Sequence, residues 1–144
     1  SALYHHERAR ELCPSDPHIL AKYATMLIYI GENEKALSEI TKAKRIDPFC
    51  PDILFEDEGI CYYWLQNYGE AISSFSKLKI PTRNSLFYLA ATYIKVNNIG
   101  QAKTSLAEAV SMSNLTVEDF IVTQGYKNEN HSRELLETLK NITA

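Results

Sequence analysis

Three groups of residues in this 144-residue sequence have side chains able to do chemistry. His5 and His6, followed by Glu7, offer metal ligands. Adjacent residues on a helix point in different directions, however, and no third ligand is spaced to join them, so they are expected on a helix surface with no metal. Cys61 offers a thiol nucleophile, which requires a nearby His base and an orienting acid. His18 and His131 lie on distant elements, so Cys61 is expected to be a packed thiol. Glu56, Asp57 and Glu58 are consecutive carboxylates. Acid–base work needs two that face each other across a cleft, and a run of this kind is expected to be solvated. Every Gly is isolated, which excludes a phosphate-cradling loop. No catalytic residue and no cofactor are expected.

The elements that would position these groups are helical. The composition is 45% hydrophobic and 23% charged with 5 Gly and 5 Pro, which describes a globular chain with few long loops. No apolar run reaches membrane-spanning length and the first residues lack a signal pattern, so a soluble, cytoplasmic protein with no membrane contact is expected. A net charge of −3 disfavours nucleic acid, which is held by clustered Lys and Arg. Cys13, Cys50 and Cys61 are far apart and odd in number, which disfavours a disulfide framework and fits a reducing compartment. The sequons at Asn114, Asn130 and Asn141 carry no meaning in that compartment.

A repeat is visible on self-comparison. Ala2, Ala36, Ala71 and Ala102 are 34, 35 and 31 residues apart and each opens a helix. Gly31-Glu32-Asn33, Gln66-Asn67-Tyr68 and Asn97-Asn98-Ile99 form similar lead-in turns. Around them recur Leu20, Tyr23, Ala24, Leu27, Ala36, Ile40 and Pro48, then Phe55, Gly59, Tyr62, Ala71 and Phe75, then Leu86, Leu89, Ala90, Tyr93, Ala102 and Leu106. Small residues let two antiparallel helices approach, with Ala24, Gly59 and Ala90 expected against Ala36, Ala71 and Ala102. The shortening around Ile80, Pro81 and Thr82 is expected to change the tilt between the second and third hairpins.

This pattern resembles the tetratricopeptide repeat (TPR) family, although Glu58 stands where that family usually has Leu. The resemblance implies an all-α, TPR-like α-solenoid of about seven or eight helices, in antiparallel hairpins that twist into a right-handed superhelix with C-terminal capping helices. The divisions are a partial repeat over 1–16, repeats over 17–50, 51–82 and 83–114, and a cap over 115–144. Thr116-Val117-Glu118-Asp119 reads as a capping box opening a short helix through Phe120 to Thr123, which Gly125 ends. A last helix, roughly Glu129 to Asn141, carries Leu135, Leu136, Leu139 and Ile142 on one stripe. About the last 60 residues, including Tyr126-Lys127-Asn128 and Glu134 to Lys140, resemble the TPR regions of bacterial proteins. In those, the repeats follow either a class III adenylate or guanylate cyclase domain or a winged-helix DNA-binding domain.

In this family the first helix of each repeat lines the concave side. The resemblance therefore implies a wall of His18, Lys22, Thr25 and Tyr29, then Ile53, Glu56, Asp57, Ile60, Tyr63 and Trp64, then Asn84, Phe87, Tyr88, Ala91 and Lys95. Of these, Tyr29, Glu56, Asp57, Ile60, Tyr63, Trp64, Phe87, Tyr88 and Lys95 are the candidate partner-binding groove, with Trp64, the single Trp, as an exposed anchor. Packing between repeats is the alternative for Tyr63 and Phe87. The expected function is a protein-interaction scaffold holding a protein or peptide segment, a regulatory or assembly module of a larger bacterial signalling protein. A homo-oligomerisation module, giving a homodimer, and a fragment of an unrecognised enzyme are the alternatives.

Overall fold

The computed structural model describes residues 2–124 and 129–142, and among them nine helices and no strand. These are α1 (Ala2–Leu12), α2 (Pro17–Tyr29), α3 (Asn33–Ile46), α4 (Ile53–Trp64), α5 (Tyr68–Ser76), α6 (Arg83–Lys95), α7 (Ile99–Ser113), α8 (Val117–Gln124) and α9 (Glu129–Lys140). The count among the described residues is one above the seven or eight expected. None is long and apolar enough to cross a membrane. Gly125, Tyr126, Lys127 and Asn128 lie outside the described residues.

The three turns joining α2 to α3, α4 to α5 and α6 to α7 share one backbone solution. Gly31, Gln66 and Asn97 occupy equivalent places with φ of 87°, 65° and 62°. After each, a backbone N–H reaches five residues back at 2.8 Å, from Glu32 to Leu27, Asn67 to Tyr62 and Asn98 to Tyr93. This satisfies helix-end carbonyls in the manner of a Schellman motif. Helix starts are specified locally too. Asp16 accepts from His18 N–H and precedes Pro17 at the first turn of α2, and Thr82 caps α6 in a reciprocal pair with Ser85. The backbone N–H of Thr116 donates to Asp119 and that of Asp119 to the Thr116 hydroxyl, so Asp serves in the Glu position of the box that opens α8. The shortening near Ile80 falls on α5, which is 9 residues long against 14 in α3 and 15 in α7.

Consecutive helices from α1 to α7 pack on one another, as do α8 and α9, and α4 also lies against α2 and α6 against α4. Ala24, Ala36, Ala71, Ala90 and Ala102 are all fully buried. At Gly59, expected against Ala71, the nearest atoms belong to the ring of Phe75, on the same helix as Ala71: a Cβ there would lie 2.5 Å from Phe75 Cε1. The aromatic residue one turn further along α5 fills the space that the missing side chain leaves. Gly59→Val is expected to lower stability by about 3 kcal/mol, in the upper part of the range for overpacking. An unchanged urea midpoint would mean that α4 and α5 do not cross at Gly59.

Polar links tie alternate helices. Glu58 is buried where an apolar residue was expected, because its carboxylate accepts from Ser74 Oγ on α5 and Lys44 Nζ on α3, both at 2.8 Å. Arg10 of α1 donates twice to Glu39 of α3, at 3.0 and 3.2 Å.

Candidate functional site

Helices α2, α4 and α6 carry the aromatic and acidic residues that the sequence singled out, and the chain's own C-terminal helices cover most of them. α9 packs on α6 and on α8. Phe120 of α8 stacks on Phe87 with ring centroids 4.1 Å apart and meets Tyr88 edge-on at 6.0 Å. His131 of α9 stacks on Trp64 at 4.4 Å. Glu134 pairs with Lys95 Nζ at 2.7 Å and accepts from the Tyr63 hydroxyl at 3.3 Å. Leu135 and Leu139, from the stripe expected to be apolar, are fully buried. The two helices thus cover side chains of α4 and α6 in addition to following α7.

This cover changes the reading of the candidate residues. Phe87 and Tyr88 are fully buried, and Tyr63 and Ile60 are buried, so these four pack in the core and offer no open wall. Trp64, expected to be an exposed anchor, is partly buried beneath His131 and edge-on to Tyr63 at 4.9 Å. Tyr29 and Lys95 remain exposed, Lys95 with its ammonium committed to Glu134. The physical reason is that the large apolar side chains of α4 and α6 lower their free energy by meeting another apolar stripe, and α8 and α9 carry one within reach.

The acidic run is likewise buried rather than solvated. Each carboxylate has hydroxyl partners: Thr82 donates to Glu56, Thr25 to Asp57 at 2.7 Å, and Ser74 to Glu58. Burial pushes the Asp57 carboxyl up to about 7 from its ordinary 3.8, against the Thr25 hydrogen bond and with help from the Glu56 charge. Burial also raises the Glu56 carboxyl, opposed by Thr82. Cys61 is fully buried and its thiol is pushed up by burial and by Asp57 and Glu58, which opposes formation of a nucleophilic thiolate. Burial holds the His131 imidazole below its ordinary value, with Glu134 opposing, and so favours the neutral ring stacked on Trp64. Among the described residues no three His, Cys, Asp or Glu side chains are grouped to hold a metal ion.

Sequence reasoning missed the residues of the cover, Phe120, His131 and Glu134. The signal for them was the pairing of an aromatic residue on α8 with an apolar stripe on α9, each too short to be stable without a surface to dock on. A scan against protein-family models and a search of curated proteins returned no match to this chain.

Proposed function

We propose that the chain is a tetratricopeptide-type module that binds helical segments of proteins, and that it works by holding them rather than by catalysis. The observation that carries this reading is the seating of α8 and α9 on the inner side of α4 and α6, where paired ring stacks and one ion pair hold an amphipathic helix. Support for the repeat assignment comes from the three equivalent left-handed turns and from the contacts of α4 with α2 and α6 with α4, which fit hairpins stacked into a superhelix. The C-terminal resemblance adds a role beside a signalling domain.

The single Trp reports on the wall. Replacing His131→Ala together with Glu134→Lys removes a stack and sets two ammonium groups together, so α9 is expected to loosen and Trp64 emission to shift to the red. A synthetic peptide of residues 129–142, added to this variant of the 144-residue chain, is expected to restore the parent emission, and the same peptide carrying Glu134→Lys is not. If helicity by circular dichroism is retained and neither peptide moves the emission, the wall does not bind helices and the proposal fails.

A further inference from the structure

Two adjoining cavities, of about 250 and about 320 Å³, open between α2, α4, α6 and the end of α8 and share Ile53, Glu56 and Asn84. The first also holds Asp57, with Ile28 and Ile60 on its apolar side. Glu56 and Asp57 are each only 5% exposed. Thr82 donates to Oε1 of Glu56 and Thr25 to Oδ2 of Asp57. Glu56 Oε2 and Asp57 Oδ1 have no hydrogen-bond partner among the described residues, yet neither is enclosed by protein, so each opens on the cavity that its residue lines. Neither carboxylate forms an ion pair among the described residues, whereas the next one along α4, Glu58, meets Lys44 Nζ at 2.8 Å. A carboxylate with so little solvent contact calls for a counter-charge, and the protein supplies none at these two.

We propose that this cavity binds an alkylammonium group, the chemistry shared by a lysine side chain and a free aliphatic amine, with the ammonium donating to Glu56 Oε2 and Asp57 Oδ1 and the stem lying along Ile28, Ile53 and Ile60. Apolar wall beside paired carboxylates suits a group that is a hydrocarbon chain with a charged end. A metal ion fits less well, because among the described residues no third His, Cys, Asp or Glu joins the two carboxylates and the isoleucines offer a cation no oxygen. An anion is disfavoured by Asp52, Glu56 and Asp57, against the single guanidinium of Arg83 in the outer cavity. Binding is coupled to a proton. Burial holds the Asp57 carboxyl at about 7, and of the charges nearby only that of Glu56 adds to the effect. The other titratable or charged groups around Asp57 are Glu58 and Cys61 on its own helix, Tyr29 of α2, and Asp52 and Arg83 of the outer cavity. An ammonium favours the ionised carboxyl, so affinity rises with pH through about 7.

The 144-residue chain, labelled with ¹³C at the isoleucine δ1 methyls, is titrated with n-pentylammonium chloride against a sodium chloride blank. Ile53 and Ile60 report on the cavity, and Ile99, exposed on α7, is the control. The ammonium is expected to shift Ile53 and Ile60, to leave Ile99 in place, and to bind at least about tenfold more tightly than pentanol, which has the same stem without the charge. Its affinity at pH 8 is expected to be about tenfold that at pH 6, as a carboxyl titrating at about 7 requires. Glu56→Gln with Asp57→Asn keeps acceptors for Thr82 and Thr25 and is expected to bring the ammonium down to the affinity of the alcohol. An alanine-based helical peptide of about 15 residues with one central Lys, set against its norleucine counterpart, separates the sources. Shifts at the same methyls with about tenfold preference for the Lys peptide assign the group to a protein segment, and shifts with n-pentylammonium alone assign it to a free amine. The proposal is overturned if neither ammonium probe moves Ile53 or Ile60 at about 10 mM, if pentanol binds as well, or if calcium chloride displaces the ammonium. The pH comparison uses the parent chain, so equal affinity at pH 6 and pH 8 overturns it whether or not the double variant folds. Trp64 emission reads the covered wall separately, so failure at this cavity leaves the helix-binding reading standing.

Discussion

Phe120→Ala is expected to destabilise the chain by about 3–5 kcal/mol, the cost of removing a fully enclosed aromatic ring and leaving a cavity. Phe120 has no exposed surface, lies face to face with Phe87 at 4.1 Å and edge-on to Tyr88, and so joins α8 to α6. The ring stack adds to the area term, since offset aromatic pairs contribute beyond burial. Phe120→Leu keeps most of the volume and is expected to lose less than about half as much. Urea denaturation followed by circular dichroism and by Trp64 emission measures both. A loss under about 1 kcal/mol for the Ala variant, the level of an ordinary surface change, would show that α8 is not docked on α6.

The pH dependence of stability is expected to carry the signature of Asp57. Its carboxyl titrates near 3.8 when unfolded and at about 7 in the folded chain, where burial disfavours the charge and the Glu56 carboxylate adds to the effect. Between these values the folded chain keeps a proton that the unfolded chain has released, so stability falls as pH rises. The contribution is fully present below about 3.8 and lost above about 7. Asp57→Asn removes this dependence while keeping an acceptor for the Thr25 hydroxyl. Relative to the parent, the variant is therefore expected to gain on the order of 4 kcal/mol between pH 4 and pH 8, at about 1.4 kcal/mol per pKa unit. Parallel stability profiles for the two proteins over that range would show that Asp57 does not hold its proton in the folded chain.

The local features of this molecule were legible in its residues. Helix ends are decided by contacts within a few positions, so the Thr116 and Asp119 exchange and the recurring turn at Gly31, Gln66 and Asn97 could be read directly. Small residues at Ala24, Gly59 and Ala90 marked the helix crossings for the same reason, because close approach excludes larger side chains at those points. The apolar stripe of α9 was equally visible, but a stripe specifies only that a face will be covered, not by what. Tertiary structure alone decided that Leu135 and Leu139 are fully buried in the core, that His131 meets Trp64, and that Phe87 and Tyr88 lie there too. It also decided that the ring of Phe75 fills the space at Gly59, and that three adjacent carboxylates face three different hydroxyls. Hydrophobic burial is non-directional and proportional to area, so any apolar face within reach can satisfy it. Which face does so depends on where the preceding helices place their side chains in space, and that is set by the packing of the whole chain.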